Sequence, residues 1–312
     1  MKDRQQLWAI LAGIPLMRGI DPANLDIQRL PGLSNRNYRL RGRRADGTGV
    51  DYVLRLPGVG SERYIDRSGE IHNRRQAAQL GLTPELLFAD QRSGAQLSAY
   101  LPGRSLQRSD LQQTGWRDAV SLLRRLHQSE AVFQGAWPLF ETLAGYLRWA
   151  PPYWHAELAG PAADMQQLRP ELEQYAQPFC ACHCDPTPGN FYRQPDGRLW
   201  LLDWEYSARA EPAWDLAGLV AEAELDSTWQ AQVVRCYASR VDTDLQRRVE
   251  LYLACLHTLA AAWGATQVGL GNHPQAALAA YIRHRLQLAC SQFKCLRVRA
   301  RSIARMLPAV WR

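Results

Sequence analysis

Lysine is nearly missing from this 312-residue chain. Only Lys2 and Lys294 are present, so 35 of the 37 Lys and Arg residues are arginine. A folded site that works through lysine is thereby almost excluded, and no G-x-x-x-x-G-K-[ST] phosphate loop occurs. No apolar run reaches the ~18–20 residues of a membrane span. The longest, 251–263, is interrupted by His257. Paired CxxC motifs are absent, and seven cysteines is an odd number in a chain too long to need disulfide staples. A reducing, cytoplasmic setting is expected. Internal repeats and low-complexity tracts are lacking as well.

What remains is an ordinary globular balance, 46% hydrophobic and 21% charged, which excludes wholesale disorder. The formal charge of +7 favours anionic ligands without specifying them. Residues 7–17 (LWAILAGIPLM) follow Lys2 and Arg4 as a secretion leader would, but Asp3 interrupts the positive stretch and no small-x-small site follows. They read as a first helix packed on the domain. In FCACHCD, a strand would turn the sulfurs of Cys180, Cys182 and Cys184 to one face and His183 to the other. With no fourth ligand in view these read as small core residues, not a zinc site.

The first hundred residues read as mostly β. Strands are expected over 33–40, 50–56, 86–89 and 95–101, with a helix over 61–80 stopped by Gly81. Alternation sets Tyr52, Leu54 and Leu56 on one face and Val53 and Arg55 on the other. After Pro102-Gly103 the pattern turns helical, around 111–127, 139–149, 212–225, 228–240, 246–263 and 275–305, with 178–203 as the sole β interruption. The expected architecture is α+β: a small β-rich lobe over 1–102 and a larger helical lobe over 103–312, with a ligand cleft between them.

The chemistry concentrates in CHCDPTPGNFYRQPDGRLWLLDWE, 182–205. Pro195-Asp196-Gly197 is a turn signal, so FYR and RLWLLD form a hairpin that returns Asp203 beside Asn190. A two-residue loop pairs Asn190 with Asp203, and a three-residue loop shifts that register by one. Two hard oxygen donors brought together suit Mg²⁺ with nucleotide phosphates, and Asp185 on the intervening loop is free to accept a proton from a hydroxyl.

These residues resemble the core of the aminoglycoside phosphotransferases, choline/ethanolamine kinases and their protein-kinase-like relatives: His183-Cys-Asp185, Asn190, then Asp203-Trp204-Glu205. The resemblance implies a two-lobed protein-kinase-like fold with ATP and Mg²⁺ as cofactors. It implies Asp185 as catalytic base, Asn190 and Asp203 as metal ligands, and His183 and His127 as structural residues. Gly32–Tyr38 resembles the nucleotide loop of choline-kinase-like proteins, which would set Ser34, Asn35 and Asn37 near phosphates. Arg55 stands where that fold carries its phosphate-contacting cation. Glu70 is its expected partner, with Glu62 and Asp66 as rivals. Tyr100–Gly103 would be the hinge against which adenine lies.

DWEYS and EPAWDLA (203–217) look most like choline kinase-type and thiamine kinase-type sequences. A cationic small-molecule alcohol is therefore the expected acceptor, choline or ethanolamine before thiamine. Aromatic faces and a carboxylate would hold such a cation, with Trp204, Glu205, Tyr206, Trp214, Asp215 and Trp263 as candidates. Asp215 has a rival role, holding the catalytic loop. Polycationic aminoglycosides fit the +7 charge less well. A pseudokinase would normally have lost Asp185, Asn190 or Asp203, and all three are present. A basic surface binder could use the amphipathic stretch 284–305, but Leu286, Phe293, Leu296 and Ile303 read as its inward face. Nucleic acid is not the expected partner.

Overall fold

The computed structural model describes residues 2–32 and 35–306, with side chains over 7–298 apart from 22, 33 and 34. The opening apolar run forms helix α1 (Lys2–Ala12), which stops before a short 3₁₀ turn at Pro15–Met17. Five strands follow: β1 (Asp26–Leu30), β2 (Arg36–Arg43), β3 (Gly49–Leu56), β4 (Leu86–Ala89) and β5 (Gln96–Ala99). They make one antiparallel sheet in the order β1-β2-β3-β5-β4. Its alternation is the expected one. Val50, Leu54 and Leu56 join Leu40 and Leu97 against Leu7, Leu11, Ile14 and Met17 in a small core. Arg55 faces the opposite side, toward helix α2 (Arg67–Gln79).

Asn73 of α2 is wholly buried. Its amide donates to the carbonyls of Gln134 and Ser207 and accepts from the Gln134 N–H. Helix α2 is thus tied to segments far along the chain as well as to its own sheet. The chain leaves the first sheet through Pro102-Gly103 and enters the two-residue strand β6 (Arg104–Ser105). Gly103 adopts φ 151, and a β-carbon there would sit 2.4 Å from the Arg193 carbonyl, so only glycine fits this crossing.

The remainder is largely helical: α3 (Trp116–His127), α4 (Leu139–Trp149), α5 (Pro152–Gln174), α6 (Pro212–Glu222), α7 (Ser227–Ala238), α8 (Thr243–Gly269) and α9 (Gln275–Met306). Helix α8 is buried on nearly every face and forms the axis of the large core. Leu286, Phe293 and Leu296 of α9 pack inward as expected, while the Ile303 side chain lies outside the described residues. No helix among the described residues is long and apolar enough to cross a membrane.

Three expectations are corrected. Helix α5 was not among the expected helical segments, and its Pro152, Pro161 and Pro170 are residues that disfavour a helix interior. Pro152 stands at the first turn, where its missing N–H costs nothing, and burial of Trp154, Leu158, Met165 and Leu172 carries the helix past the other two. The β segment does not end at 203, because β10 (Ala208–Ala210) pairs with β7 (Cys180–Cys182). That pairing ends β7 at Cys182, and Cys184 turns out at φ 64, so no face of three sulfurs forms.

Helix α6 is anchored at its start by Glu211, which is buried and paired with the buried Arg248, with the Tyr252 hydroxyl donating to the same carboxylate. Removing one partner strands the other charge, a loss of about 3–5 kcal/mol. We expect Arg248→Ala to lower the denaturation midpoint accordingly, whereas a surface pair such as Arg240–Asp242 should change it by less than about 1 kcal/mol. Equal effects in chemical denaturation would contradict this assignment.

Candidate active site

The catalytic-loop sequence is held from behind. Asp215, in the first turn of α6 and wholly buried, accepts the backbone N–H groups of His183 and Cys184 at 2.8 and 2.7 Å. Its Oδ2 also faces His127 Nε2 at 2.9 Å. Of the two roles open to Asp215, the loop anchor is the one its contacts show. The His183 ring is buried and turned inward, with Nε2 on the Leu202 carbonyl at 2.9 Å and Nδ1 accepting the Asp185 N–H at 3.3 Å. Burial lowers its pKa and favours the neutral ring, as a structural residue requires.

The hairpin has the three-residue loop. Strands β8 (Phe191–Arg193) and β9 (Leu199–Leu201) pair Phe191 with Leu201 and Tyr192 with Trp200. Asn190 then lies opposite Leu202, whose N–H it accepts at 2.8 Å, and Asp203 follows directly. Asp203 adopts φ 63, a conformation Asp tolerates better than most residues, which bends the chain off the strand. The Asn190 amide donates to both the carbonyl and the carboxylate of Asp185, at 2.8 and 2.9 Å. The Asn190 side-chain oxygen, Oδ1, is then without a hydrogen bond among the described residues. Burial, then the charges of Asp203, Glu222 and Glu205, push the Asp185 carboxyl well above the usual carboxylate range.

Arg55 crosses to this centre from β3. Its guanidinium meets Glu70, Asp203 at 2.7 Å and Glu205 at 2.9 Å. Glu70 is the partner the sequence reading favoured over Glu62 and Asp66. Burial alone would lower the Arg55 pKa, but the charges of Asp203, Glu70 and Glu205 outweigh it and raise it above its ordinary value. Arg67, unforeseen from sequence, reaches both Glu70 and Glu205. Gln96 donates to Glu70 at 2.8 Å and in turn accepts from the buried Arg74. Burial, then repulsion from Arg55, lowers the Arg74 pKa to about 10. The Arg55 Nε, also buried, is a donor with no partner among the described residues.

The expected nucleotide-loop residues are placed unequally. Ser34 lies outside the described residues. Asn35 is buried, its amide donating to Asp203 and Glu205, while Asn37 lies opposite Arg55 in the strand register and reaches the Pro31 carbonyl. The loop is tight: a β-carbon on Gly32 would come within 2.6 Å of the Asn35 carbonyl. Tyr100 is at the crossing between sheets, and the Arg39 guanidinium lies 3.5 Å from its ring centroid.

The expected aromatic cage is corrected in part. Trp204 and Trp214 are buried core residues. The Trp204 indole donates to the Leu201 carbonyl, and that of Trp214 donates to the Cys184 carbonyl, beside Trp137 and Tyr252. Glu205 faces Arg55 and Arg67 instead of an acceptor. Tyr206 stays partly exposed, hydrogen-bonded to Tyr146 and edge-on to Trp137. Trp263 is half-buried, edge-on to Tyr281. Arg285 had no sequence signal because α9 lies beyond any motif; it is buried and pairs with Glu222 at the end of α6, whose charge reaches Asp185.

Comparison with known proteins gives the family and the fold. Residues 26–252, well over half the chain, match the phosphotransferase enzyme family. Protein LicA of Haemophilus influenzae is 28% identical over 257 residues, covering 77% of this chain and 73% of that protein. A choline/ethanolamine kinase family protein from Mesorhizobium loti superposes with a TM-score of 0.73 at 28% identity, over 93% of this chain and 94% of that one. Choline kinase LicA from Streptococcus pneumoniae superposes at 0.78, with 24% identity, over 93% and 99%. The two-lobed fold expected from the sequence is the fold shared with these structures. The chain belongs to the phosphotransferase enzyme family.

Proposed function

We propose that this phosphotransferase moves the γ-phosphoryl group of ATP to the hydroxyl of a cationic amino alcohol, choline or ethanolamine. One observation carries the reading: Asp185, clamped by Asn190, shares its surroundings with the Arg55-bridged carboxylates Asp203 and Glu205 and with the hydroxyls of Tyr146 and Tyr281, on which its charge acts. Residues 1–102 serve as the nucleotide lobe and 103–312 as the catalytic and acceptor lobe. Nucleotide phosphates meet Arg55, whose unpartnered Nε is a donor suited to a phosphate oxygen. Asn35, Asn37, Glu70 and Tyr100 shape that side, Glu70 by orienting Arg55 and Tyr100 by lining the adenine hinge.

The donor set also fits Mg²⁺. The Asn190 carbonyl oxygen and the Asp203 carboxylate are hard oxygens, and they would hold the ion. When bound, it neutralises charge on the phosphates. Asp185 orients the acceptor hydroxyl and takes its proton as attack proceeds. Choline before thiamine is supported by the choline kinases among the relatives; the rings of Trp263 and Tyr281, with Glu222 acting on Tyr281, suit an organic cation of either kind.

ADP release should be Mg²⁺-dependent and should appear with choline or ethanolamine when these are tested beside thiamine and kanamycin. Activity confined to either of the latter two would overturn the acceptor assignment. Asp185→Asn should cut kcat by about 10²-fold or more while nucleotide still binds, and near-normal turnover would remove Asp185 from the proton-accepting role.

The raised Asp185 carboxyl makes a second, independent prediction. Below its pKa the base is protonated and idle, so kcat climbs with pH through a limb above the ordinary carboxylate range. Glu222→Gln deletes one of the charges lifting it, so the limb should move to lower pH. A limb that does not move would show that Glu222 does not act on Asp185.

A further inference from the structure

Behind the catalytic loop, on the far side of Asp215 from Asp185, three soft or borderline ligands meet. The sulfurs of Cys180 and Cys182 and a ring nitrogen of His127 all lie within 4.8 Å of one another. The cysteines come from β7 and the histidine from the end of α3, more than fifty residues earlier. This explains why spacing in the sequence gave no hint of the third ligand. The two sulfurs are 3.6 Å apart, close to the ~3.8 Å edge of a tetrahedron built on Zn–S bonds of ~2.3 Å.

The histidine is set in the tautomer that a ligand needs. Its Nε2 faces the Asp215 carboxylate at 2.9 Å, so that nitrogen carries the proton and Nδ1 keeps its lone pair. A metal-bound imidazole almost always donates its other N–H to a carboxylate in this manner. Nδ1 accepts the Tyr237 hydroxyl at 3.1 Å, and that hydroxyl lies near enough to Cys180 and Cys182 for thiolates there to raise its pKa. Nδ1, one hydroxyl and two sulfurs therefore converge on one small volume.

We propose that His127 Nδ1, Cys180 Sγ and Cys182 Sγ form a site for one thiophilic d¹⁰ cation, Zn²⁺ or its heavier congener Cd²⁺, with water in the fourth position. Binding releases one proton from each thiol, and Tyr237 gives up the Nδ1 lone pair. Two thiolates cancel the charge of the dication, which makes the buried centre neutral overall. Burial raises the Cys182 thiol, so protons compete with the metal and affinity increases with pH. The Asp215 carboxylate that supports His127 also holds the catalytic loop, so an ion here would brace that anchor from the rear.

The test uses the full chain with its three exposed thiols removed (Cys236→Ser, Cys290→Ser, Cys295→Ser). Cadmium titration, followed by thiolate-to-metal charge-transfer absorption and calorimetry, should give one ion per chain. It should release about two protons, and binding should be tighter at alkaline than at acidic pH. Adding Cys180→Ser, at a part-exposed position, should abolish the absorption band and weaken Cd²⁺ and Zn²⁺ by about 10-fold or more. Circular dichroism confirms that this variant stays folded. Absence of the band in the triple variant, or unchanged affinity after Cys180→Ser, would overturn the proposal.

Discussion

One buried carboxylate organises this protein. Asp215 receives the N–H groups of His183 and Cys184 and the ring of His127, so three donors that would otherwise be orphaned in the core converge on two oxygens. Each such group left unsatisfied would cost about 1–3 kcal/mol. The loop that Asp215 captures must turn sharply, and Cys184 does so in the left-handed region. Only after that turn can Asp185 leave the strand and meet Asn190. The catalytic geometry thus depends on an acid that takes no part in the chemistry proposed here.

The second constraint is charge balance between the lobes. Arg55, Arg67 and Arg74 bring three cations into a region where Glu70, Asp203 and Glu205 supply three anions, with Gln96 joining Arg74 to Glu70. A flat guanidinium can face several carboxylates at once, which an ammonium does less well. The scarcity of lysine is therefore compatible with a phosphate-handling site. Both ends of the bridge come from distant parts of the chain, so the two lobes are linked by electrostatics as well as by the Pro102-Gly103 crossing.

Legibility in the sequence followed how local the cause was. Of the first sheet, β2 and β3 could be read because they alternate over eight residues, and β4 and β5 as short apolar runs, whereas β1 (Asp26–Leu30) was not among the expected strands; the hairpin could be read because Pro195-Asp196-Gly197 has a fixed meaning in any context. The loop length, and with it the register of Asn190, was open in the sequence and was settled by pairing of Phe191 with Leu201. Helix α5 was hidden because proline preference argued against it while tertiary burial argued for it. The indoles of Trp204 and Trp214 show a different limit. Composition can suggest an aromatic cage, but whether a ring faces a ligand or the core depends on backbone direction across several elements. Glu222, Arg285 and His127 acquire their partners only through helix packing, so no window of sequence contains them.

Helix α2 carries a consequence of its own. In a kinase regulated by helix displacement, the carboxylate that steadies the phosphate-binding cation must have a second resting place. Here Asn73, on that same helix, has all its polar groups committed to Gln134 and Ser207. Swinging the helix outward would break three hydrogen bonds inside a sealed interface. The Glu70 carboxylate, on the same helix, therefore stays against Arg55 for as long as those bonds hold.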